Sequence, residues 1–362
     1  MDFVHRSITR RDFLKWSFLS AGAAVGRPWL DWDGMLQAWA GAERLGRVCV
    51  GKISVWSQPS INSQVIRDIY EDEIIIWLRE VVGEAPGLSL NCRWVETPEG
   101  YVYAPRIQPV RYDLNLPVTT LPETELGRGM WAEVSVPYVP ITMHNPPPRA
   151  AWLREAKIPR VYYSQIFWID DTRTNESGQI EYRVTQKWGY GDILWAPGEG
   201  FRPLTRDELE PISPGVENKR VVVRLNHQMM SCYEGNSEVY ACRISSGSKF
   251  DAEGNPTDKS STPLGARRLW RKLISHHLSG GVSGSGWDLP GVGWTVLFSG
   301  NGEAIHSTFW HNDFGTPRSR GCVNATPEDA KWVFRWTEPH IPYEIGDITV
   351  PYPGGTLVDT IE

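Results

Sequence analysis

Short hydrophobic runs of β-strand character recur along the chain, each ending at a cluster of turn-forming residues. Between residues 47 and 110 the breaks fall at Gln58-Pro59-Ser60, at residues 83–87 and at Thr97-Pro98-Glu99-Gly100. The runs predict about five strands, at Val48–Val50, Ile53–Trp56, Glu73–Leu78, Arg93–Val95 and Gly100–Tyr103. So many strands in so short a segment predict a small β-barrel at residues 45–110.

A second segment repeats part of this pattern. Residues 101–110 form an aromatic strand running into Ala-Pro and a basic, proline-bearing exit, and residues 193–204 do the same. Strand-like runs at residues 161–165 and 180–185 precede the second copy. We therefore expect an internal duplication, with a second β-rich module at residues 160–215. The proline-rich stretch between them, residues 111–159, is predicted to be a linker.

The last third carries the sharpest pattern. Val221–Leu225, Gln228–Tyr233 and Val239–Ile244 alternate as strands, with a turn at residues 234–236, and so predict a β-hairpin. A strand at Trp294–Ser299 and another at Glu303–Ser307 flank a Gly-Asn-Gly turn. Thr326 followed by Pro327 then predicts a helix start, with Thr as the N-cap.

Composition agrees with a mainly β protein. Among 362 residues there are 18 Trp, 34 Gly and 27 Pro, many turn formers beside aromatic residues. The formal net charge is −6 and there is no long basic run, which argues against a dedicated nucleic-acid binder.

The first forty residues predict an export signal. Arg10-Arg11 precedes the short apolar run Trp16–Gly26, and Ala38-Trp39-Ala40 offers small residues for cleavage. This order resembles the twin-arginine signal peptide, assigned to residues 1–40. The resemblance implies export to the periplasm or cell wall. No later apolar stretch approaches 18 residues, so no transmembrane segment is expected in the mature chain.

Five cysteines leave at least one thiol unpaired in an oxidising compartment. Cys49 could pair with Cys92, with Cα atoms within about 7 Å. Cys232 could pair with Cys242 across the predicted hairpin. Cys322 would then remain as the free thiol.

Cys322 and His306 are the candidate reactive pair. His306 ends a predicted strand, and Cys322 ends a loop just before a predicted helix. A thiol with a pKa near 8.5 needs a neighbouring base, which an imidazole supplies, or a cation such as Arg320 or Arg318. The amides of Gly321 and Cys322 could face an oxyanion. The alternative, a buried inert cysteine and an ordinary strand-end histidine, is left open by these residues alone.

The motif around these residues resembles a known family. Ile305-His306-Ser307 followed by Ser319-Arg320-Gly321-Cys322-Val323-Asn324 is similar to the signature of the L,D-transpeptidase (YkuD-type) catalytic domain. Gln228, the Ser245-Ser246-Gly247 strand end and Thr262-Pro263-Leu264-Gly265 support the match. The resemblance covers residues 218–350 and leaves residues 351–362 as a tail. It implies a β-sandwich catalytic domain with a short helix after the catalytic Cys.

The resemblance also implies a reaction and roles for residues. Cys322 would attack a peptidoglycan tetrapeptide stem, release the terminal D-Ala and pass the acyl group to an amine, forming 3-3 cross-links. The implied base is His306, oriented by Ser307. Gly321, Ser319 and Asn324 would support the oxyanion and the loop, and Arg320, Trp310 and Phe309 would bind substrate. No cofactor or metal is implied, and carbapenem-type inhibitors are expected.

Two features depart from the family pattern. Arg320 stands where the family usually has His, and the loop from Ser307 to Arg318 is short. His311, within that loop, is the second candidate for the base.

The adjacent histidines His276 and His277 have no acidic or Cys residue at the spacing of a metal site, so no metal site is expected there.

The sequence leaves the acceptor and other functions open. An L,D-carboxypeptidase, another cell-wall cysteine hydrolase and a non-catalytic wall-binding protein are the alternatives. The N-terminal barrel resembles bacterial SH3-like modules, which implies wall binding.

Overall fold

The computed structural model describes Trp39 and residues 42–362, apart from Leu88, Leu126, 186–189, 251–254 and 281–286. The predicted signal peptide at 1–40 therefore lies outside the described residues, with the exception of Trp39. Residues 43–362 form one compact unit that contains three successive β-rich modules. No helix in the described part of the chain is long and apolar enough to cross a membrane.

The N-terminal module, residues 45–110, contains eight strands in two antiparallel sheets. One sheet has the order β4-β1-β8 and the other β3-β2-β7-β6-β5. A 3-10 helix, Ala104–Arg106, separates the last two strands. Their inward residues enclose a core of ten buried side chains that includes Val55, Ile69 and Val102. The strands are β1 Leu45–Val48, β2 Lys52–Trp56, β3 Val65–Tyr70, β4 Ile74–Ile76, β5 Arg79–Val82, β6 Arg93–Glu96, β7 Tyr101–Tyr103 and β8 Ile107–Val110.

Three of these strands were not predicted from the sequence. In β3, Ile69 is buried but Val65 and Ile66 are both exposed, and in β5 Val82 is 82% exposed, so neither strand alternates regularly between buried and exposed residues. These two strands are defined by their backbone hydrogen bonds to neighbouring strands, β3 to β2 and β5 to β6, and not by a hydrophobic pattern in the sequence. The third, β8, begins directly after the 3-10 helix and pairs with β1.

The middle module, residues 123–209, is built around a six-stranded sheet of order β13-β17-β16-β15-β11-β18. Two small pairs, β9 with β10 and β12 with β14, flank it. Its elements are β9 Glu123–Thr124, β10 Gly127–Arg128, β11 Met130–Val134, β12 Tyr138–Pro140, β13 Thr142–Met143, α1 Ala151–Glu155, β14 Arg160–Tyr162, β15 Ile166–Thr174, β16 Ile180–Thr185, β17 Leu194–Pro197, β18 Phe201–Pro203 and the 3-10 helices Gly198–Gly200 and Asp207–Leu209.

The prediction of a linker at 111–159 is wrong for most of that segment. β11 lies inside the six-stranded sheet, between β15 and β18. Its Trp131 is buried, and the Trp131 backbone amide and Nε1 donate to the Tyr343 hydroxyl (3.0 Å) and carbonyl (2.9 Å). The prolines fall mainly between the short strands, where a missing backbone donor costs little. The middle module thus shares a core with the last third of the chain.

The two segments matched as repeats have the same local structure. β7, a 3-10 turn and β8 follow one another in the N-terminal module, as do β17, a 3-10 turn and β18 in the middle module. The strand after the turn pairs with an early strand of its module, β8 with β1 and β18 with β11. This shared order supports the duplication, which stays a prediction.

The C-terminal module is a sandwich of two five-stranded sheets with orders β21-β20-β19-β28-β22 and β26-β25-β24-β23-β27. Its elements are β19 Lys219–Arg224, β20 Met229–Glu234, β21 Ser237–Arg243, β22 Gly265–Arg268, β23 Arg271–Gly280, β24 Trp287–Leu297, β25 Ala304–Ser307, β26 Val323–Ala325, α2 Pro327–Trp336, β27 Asp347–Thr349 and β28 Leu357–Ile361. The mainly β sandwich and the short helix after Cys322 confirm the predicted fold class. The predicted tail, residues 351–362, is corrected: β28 lies between β19 and β22 in the first sheet.

Helix α2 begins and ends on specific contacts. The Thr326 side chain accepts from the Asp329 amide, as predicted for an N-cap followed by Pro327. At the other end, the buried Lys272 amino group donates to the carbonyls of Phe334 (2.7 Å), Thr337 (2.7 Å) and Pro339 (2.9 Å). These hydrogen bonds satisfy carbonyls that would otherwise be buried alone.

The predicted cysteine pairs are not formed. The structure describes all five cysteines, and each is a free thiol. In the hairpin, Cys232 lies opposite Tyr240 and Cys242 opposite Met230, so the two are diagonal rather than facing neighbours. Diagonal Cα atoms in a sheet lie about 7–8 Å apart, beyond the usual span of a disulfide. Both thiols are part of the hydrophobic core.

Candidate active site

The two candidate catalytic residues are brought together by a parallel strand pair. Ile305 of β25 lies opposite Val323 of β26, and His306 lies opposite Asn324. Because side chains alternate along a strand, Ala304, His306, Cys322 and Asn324 share one face of the sheet. Cys322, directly before β26, is therefore a neighbour of Ala304 and a diagonal neighbour of His306.

One ring nitrogen of His306 is hydrogen-bonded and the other has no hydrogen-bond partner in the described part of the chain. It is 1% exposed, and Nδ1 lies 2.8 Å from the Ser307 carbonyl oxygen, so Nδ1 carries the proton and donates. Nε2 is buried and has no hydrogen-bond partner among the described residues. Burial lowers the pKa of His306 to about 4, which leaves a neutral imidazole with a free lone pair at Nε2.

Ser307 orients this imidazole through its backbone. The Ser307 carbonyl accepts the His306 proton, whereas the Ser307 hydroxyl lies on the opposite face of β25, next to Gly293. The predicted pairing of these two residues is thus present through the main chain. A carbonyl acceptor at Nδ1 selects the tautomer that a base acting through Nε2 requires.

Cys322 rests as a neutral thiol. It is half-buried and packs against the small apolar cluster Leu273, Leu297 and Ala304. Burial raises the pKa of the Cys322 thiol to about 11; a hydrogen bond from the Ala304 backbone opposes this shift, and the Glu303 carboxylate adds to it. The thiol therefore needs a base or a substrate-induced change before it becomes a nucleophile.

Ser319 and Gly321 shape the turn that presents the thiol. The Ser319 hydroxyl donates to the Cys322 carbonyl and accepts from the Gly321 amide (3.1 Å). Gly321 has φ +118, a conformation that side chains disfavour, which explains glycine at this position. Because the Gly321 amide is already engaged, its predicted oxyanion role would require it to leave Ser319.

His311, the second candidate for the base, has both ring nitrogens in use. Nδ1 accepts from the Asp313 amide (3.1 Å), and Nε2 lies 2.8 Å from the Asn324 side-chain amide. The Asn324 atom that faces Nε2 is the side-chain nitrogen, Nδ2. Burial lowers the pKa of His311 to about 4. His311 thus supports Asn324, and His306 is the histidine with a free nitrogen.

The loop that carries Cys322 is hydrogen-bonded to the segment that follows β21. Arg318 and Ser319 donate their amides to the Ser246 carbonyl (2.8 and 3.0 Å), and Asn324 exchanges two backbone hydrogen bonds with Ser245 (2.9 Å each). Gln228 supports this segment from behind, since its side chain accepts from the Ser246 amide (2.8 Å).

A family model matches this part of the chain. Residues 218–358 match the YkuD family, the L,D-transpeptidase catalytic domain. This extent includes Cys322, His306 and the strand ends that hold them. A comparison with curated protein sequences gives no match.

Solved L,D-transpeptidases are similar to the chain at low identity. A mutant of the Enterococcus faecium L,D-transpeptidase is 22% identical, covering 40% of this chain and 50% of that one, with a TM-score of 0.31. The enzyme from Mycobacterium smegmatis is 15% identical, covering 51% and 90%, with a TM-score of 0.31. An L,D-transpeptidase in complex with imipenem is 15% identical, covering 50% and 90%, also with a TM-score of 0.31. The chain thus spans half the length of the E. faecium structure.

The three predicted substrate-binding residues lie in different surroundings. The Arg320 guanidinium stacks on the ring of Trp287, 4.7 Å from its centroid. Trp310 is half-buried, with its ring 5.7 Å from that of His306. Phe309 is buried and stacks on Tyr162 of the middle module at 5.9 Å. Trp310 thus lies beside His306, whereas the Phe309 side chain packs against the middle module.

No group of three or more His, Cys, Asp or Glu residues suited to a metal ion occurs in the described ranges. His277 pairs instead with Asp288.

Sequence reasoning missed the contacts that the N-terminal module makes with the YkuD domain. Asn91 and Arg93 hydrogen-bond to Asp313 and Asn312, more than two hundred residues later in the chain. Arg47 donates to the Phe309 carbonyl (2.7 Å). No pattern in the sequence pointed to these partners.

Proposed function

We propose that this chain is an exported L,D-transpeptidase that uses Cys322 as nucleophile and His306 as general base. The observation that carries the proposal is the free, buried Nε2 of His306 on the same sheet face as Cys322, within the YkuD domain. A neutral imidazole beside a neutral thiol supports proton transfer during attack, in place of a preformed ion pair.

In the first step, the Cys322 proton passes to Nε2 of His306 while sulfur attacks the carbonyl of the third residue of a tetrapeptide stem. The oxyanion is stabilised by the Cys322 amide, joined by Gly321 if its amide turns away from Ser319. The bond to the terminal D-Ala then breaks. Its nitrogen takes the proton from His306, leaving a thioester.

In the second step, an amine from a neighbouring stem attacks the thioester carbonyl. His306 removes the amine proton, the carbon–sulfur bond breaks, and the sulfur recovers a proton from His306. The product is a 3-3 cross-link, and the enzyme returns to its resting state. If water takes the place of the amine, the same groups release a tripeptide, which is L,D-carboxypeptidase activity.

Arg320 is proposed to bind a stem carboxylate. Its planar guanidinium can hold a carboxylate through two hydrogen bonds, a geometry that the histidine usual in the family lacks. In the described structure its guanidinium lies over the Trp287 ring, and Arg320 stands two residues before Cys322 in the chain.

Export and wall attachment complete the proposal. The twin-arginine pattern of residues 1–40 supports export, and the small β-sheets of the N-terminal and middle modules support SH3-like binding to the wall. The imipenem complex of an L,D-transpeptidase supports the proposal that carbapenem-type β-lactams acylate Cys322.

The experiment is to incubate the mature protein with tetrapeptide-stem muropeptides and to analyse the products by mass spectrometry, with Cys322→Ala alongside. A cross-linked dimer that the variant does not form supports the transpeptidase. A trimmed tripeptide alone supports the carboxypeptidase. Product that survives in Cys322→Ala overturns the role of Cys322, and absence of both products overturns the enzymatic function.

A further inference from the structure

We propose that the N-terminal module is a structural part of the catalytic site, with Asn91 and Arg93 as positioning residues for residues 309–313, here called the catalytic loop. The loop begins three residues after His306 and contains His311. This inference rests on the proposed function and names residues outside the YkuD domain that support it.

Asn312 is enclosed by the N-terminal module. Its backbone amide donates to the Pro105 carbonyl (3.0 Å), and its side-chain amide donates to the Ala104 carbonyl (3.4 Å). The Arg93 guanidinium donates to the Asn312 carbonyl. Asn312 is 4% exposed, so these hydrogen bonds are shielded from water. The N-terminal module thus holds the Asn312 amide through the 3-10 turn at Ala104–Arg106 and the Asn312 carbonyl through Arg93 at the start of β6.

A second connection passes through Asp313. The Asn91 side chain donates to one Asp313 oxygen (3.0 Å), and Arg318 donates to the other (2.6 Å). Asp313 is 1% exposed, and its amide donates to Nδ1 of His311. His311 in turn contacts Asn324, two residues after the nucleophile. A continuous series of hydrogen bonds therefore joins Asn91 to the strand that follows Cys322.

A third contact fixes the start of the loop. Arg47 is buried, donates to the Phe309 carbonyl (2.7 Å) and lies over the Tyr162 ring at 4.1 Å. Its remaining donors are satisfied by Gln108 and Asp72. Because Arg47 has so many buried partners, its replacement would unfold the interface, and Asn91 and Arg93 at the border of the module are the better probes.

These contacts have a mechanistic consequence. Hydrogen bonds to the Asn312 backbone and to the Asp313 carboxylate hold the loop beside His306 in place before substrate arrives. Loss of one donor frees the loop and the His311–Asn324 contact without removing a reacting group. The expected defect is in the maximal rate of acylation and not in the binding of the acylating agent.

The test uses the full mature chain with Asn91→Ala, Arg93→Ala and Arg93→Lys. The matched control is Arg79→Ala, an arginine of the same module whose partner Glu96 is also at the surface. Acylation of Cys322 by a carbapenem is followed by mass spectrometry over a range of concentrations. We expect Asn91→Ala and Arg93→Ala to lower the maximal rate at least tenfold, with the half-saturating concentration within twofold of wild type. Arg93→Lys should recover part of the rate, and Arg79→Ala should match wild type.

Amide hydrogen exchange provides a readout that is independent of catalysis. Peptides covering residues 309–313 and 322–325 should exchange at least tenfold faster in Asn91→Ala, while peptides from β15 and β16 stay unchanged. Wild-type exchange in both peptides together with a wild-type rate overturns the inference. If Arg93→Ala fails to fold, Asn91→Ala decides. If wild type forms neither a carbapenem adduct nor a cross-link, the proposed function fails, and the exchange result still decides whether the N-terminal module holds the loop.

Discussion

The imidazole of His311 is hydrogen-bonded to Asn324, with 2.8 Å between Nε2 and the side-chain amide. Nδ1 of the same ring accepts from the Asp313 amide, so neither ring nitrogen of His311 is left for a base. His306, in contrast, keeps Nε2 without a partner. The two histidines of the site are therefore expected to respond differently to substitution.

His306→Gln is expected to lower the rate of carbapenem acylation of Cys322 by 10²–10⁴-fold, the usual contribution of a general base. His311→Gln keeps a side chain able to hydrogen-bond Asn324 and is expected to lose tenfold or less. The rates are measured by mass spectrometry at saturating carbapenem. An equal loss in both variants would contradict the assignment of His306 as the base.

The alkylation of Cys322 should depend on pH in an unusual way. Since burial raises the pKa of this thiol to about 11, its reaction with iodoacetamide should be slow at pH 7 and still rising above pH 9. Peptide mass analysis separates this reaction from that of the half-buried Cys49 and Cys92. A plateau reached near pH 7 would indicate a preformed thiolate and would refute the neutral resting pair.

Stability should fall on mild acidification because of His306 and His311. Both have a folded-state pKa lowered to about 4 by burial, whereas the unfolded chain titrates near 6.5. Their stabilising contribution is complete above pH 6.5 and is lost as the pH falls towards 4, at about 1.4 kcal/mol per pH unit for each histidine. Urea unfolding at pH 7.5 and 5.0 measures this loss. His311→Gln should reduce it, and an unchanged pH dependence in that variant would count against a neutral buried His311.

Lys272→Met is expected to lower the free energy of unfolding by about 3 kcal/mol, because the carbonyls of Phe334, Thr337 and Pro339 lose the buried amino group that donates to them. Lys52→Met is the control, since Lys52 is exposed and pairs with Asp68 at the surface. Denaturant unfolding of both variants provides the comparison. A loss no larger than that of the control would show that Lys272 does not stabilise the helix end.

The free thiols predict insensitivity to reducing agents. Thermal unfolding of the protein should have the same midpoint with and without reductant, because neither Cys49 and Cys92 nor Cys232 and Cys242 is bridged. A midpoint that falls by several degrees on reduction would reveal a disulfide and contradict this arrangement.

Sequence alone determined the features that depend on local patterns. Alternation with a turn at Glu234-Gly235-Asn236 predicted the hairpin of β20 and β21, and Thr326-Pro327 predicted the start of α2. Both the hairpin and the helix start depend on local interactions, because turn and N-cap residues hydrogen-bond to residues close to them in the chain. The residues around Cys322 indicated the family for the same reason, because the nucleophile and its turn are contiguous in the chain.

Tertiary structure decided everything that depends on distant partners. Only the packed chain shows that His311 is engaged and His306 is free, that the hairpin cysteines lie diagonally, and that β11 belongs to a sheet. The type and spacing of residues do not predict which face of a strand packs against which distant loop. The contacts of Asn91 and Arg93 with the catalytic loop join residues more than two hundred positions apart, and they exist only because the modules pack together.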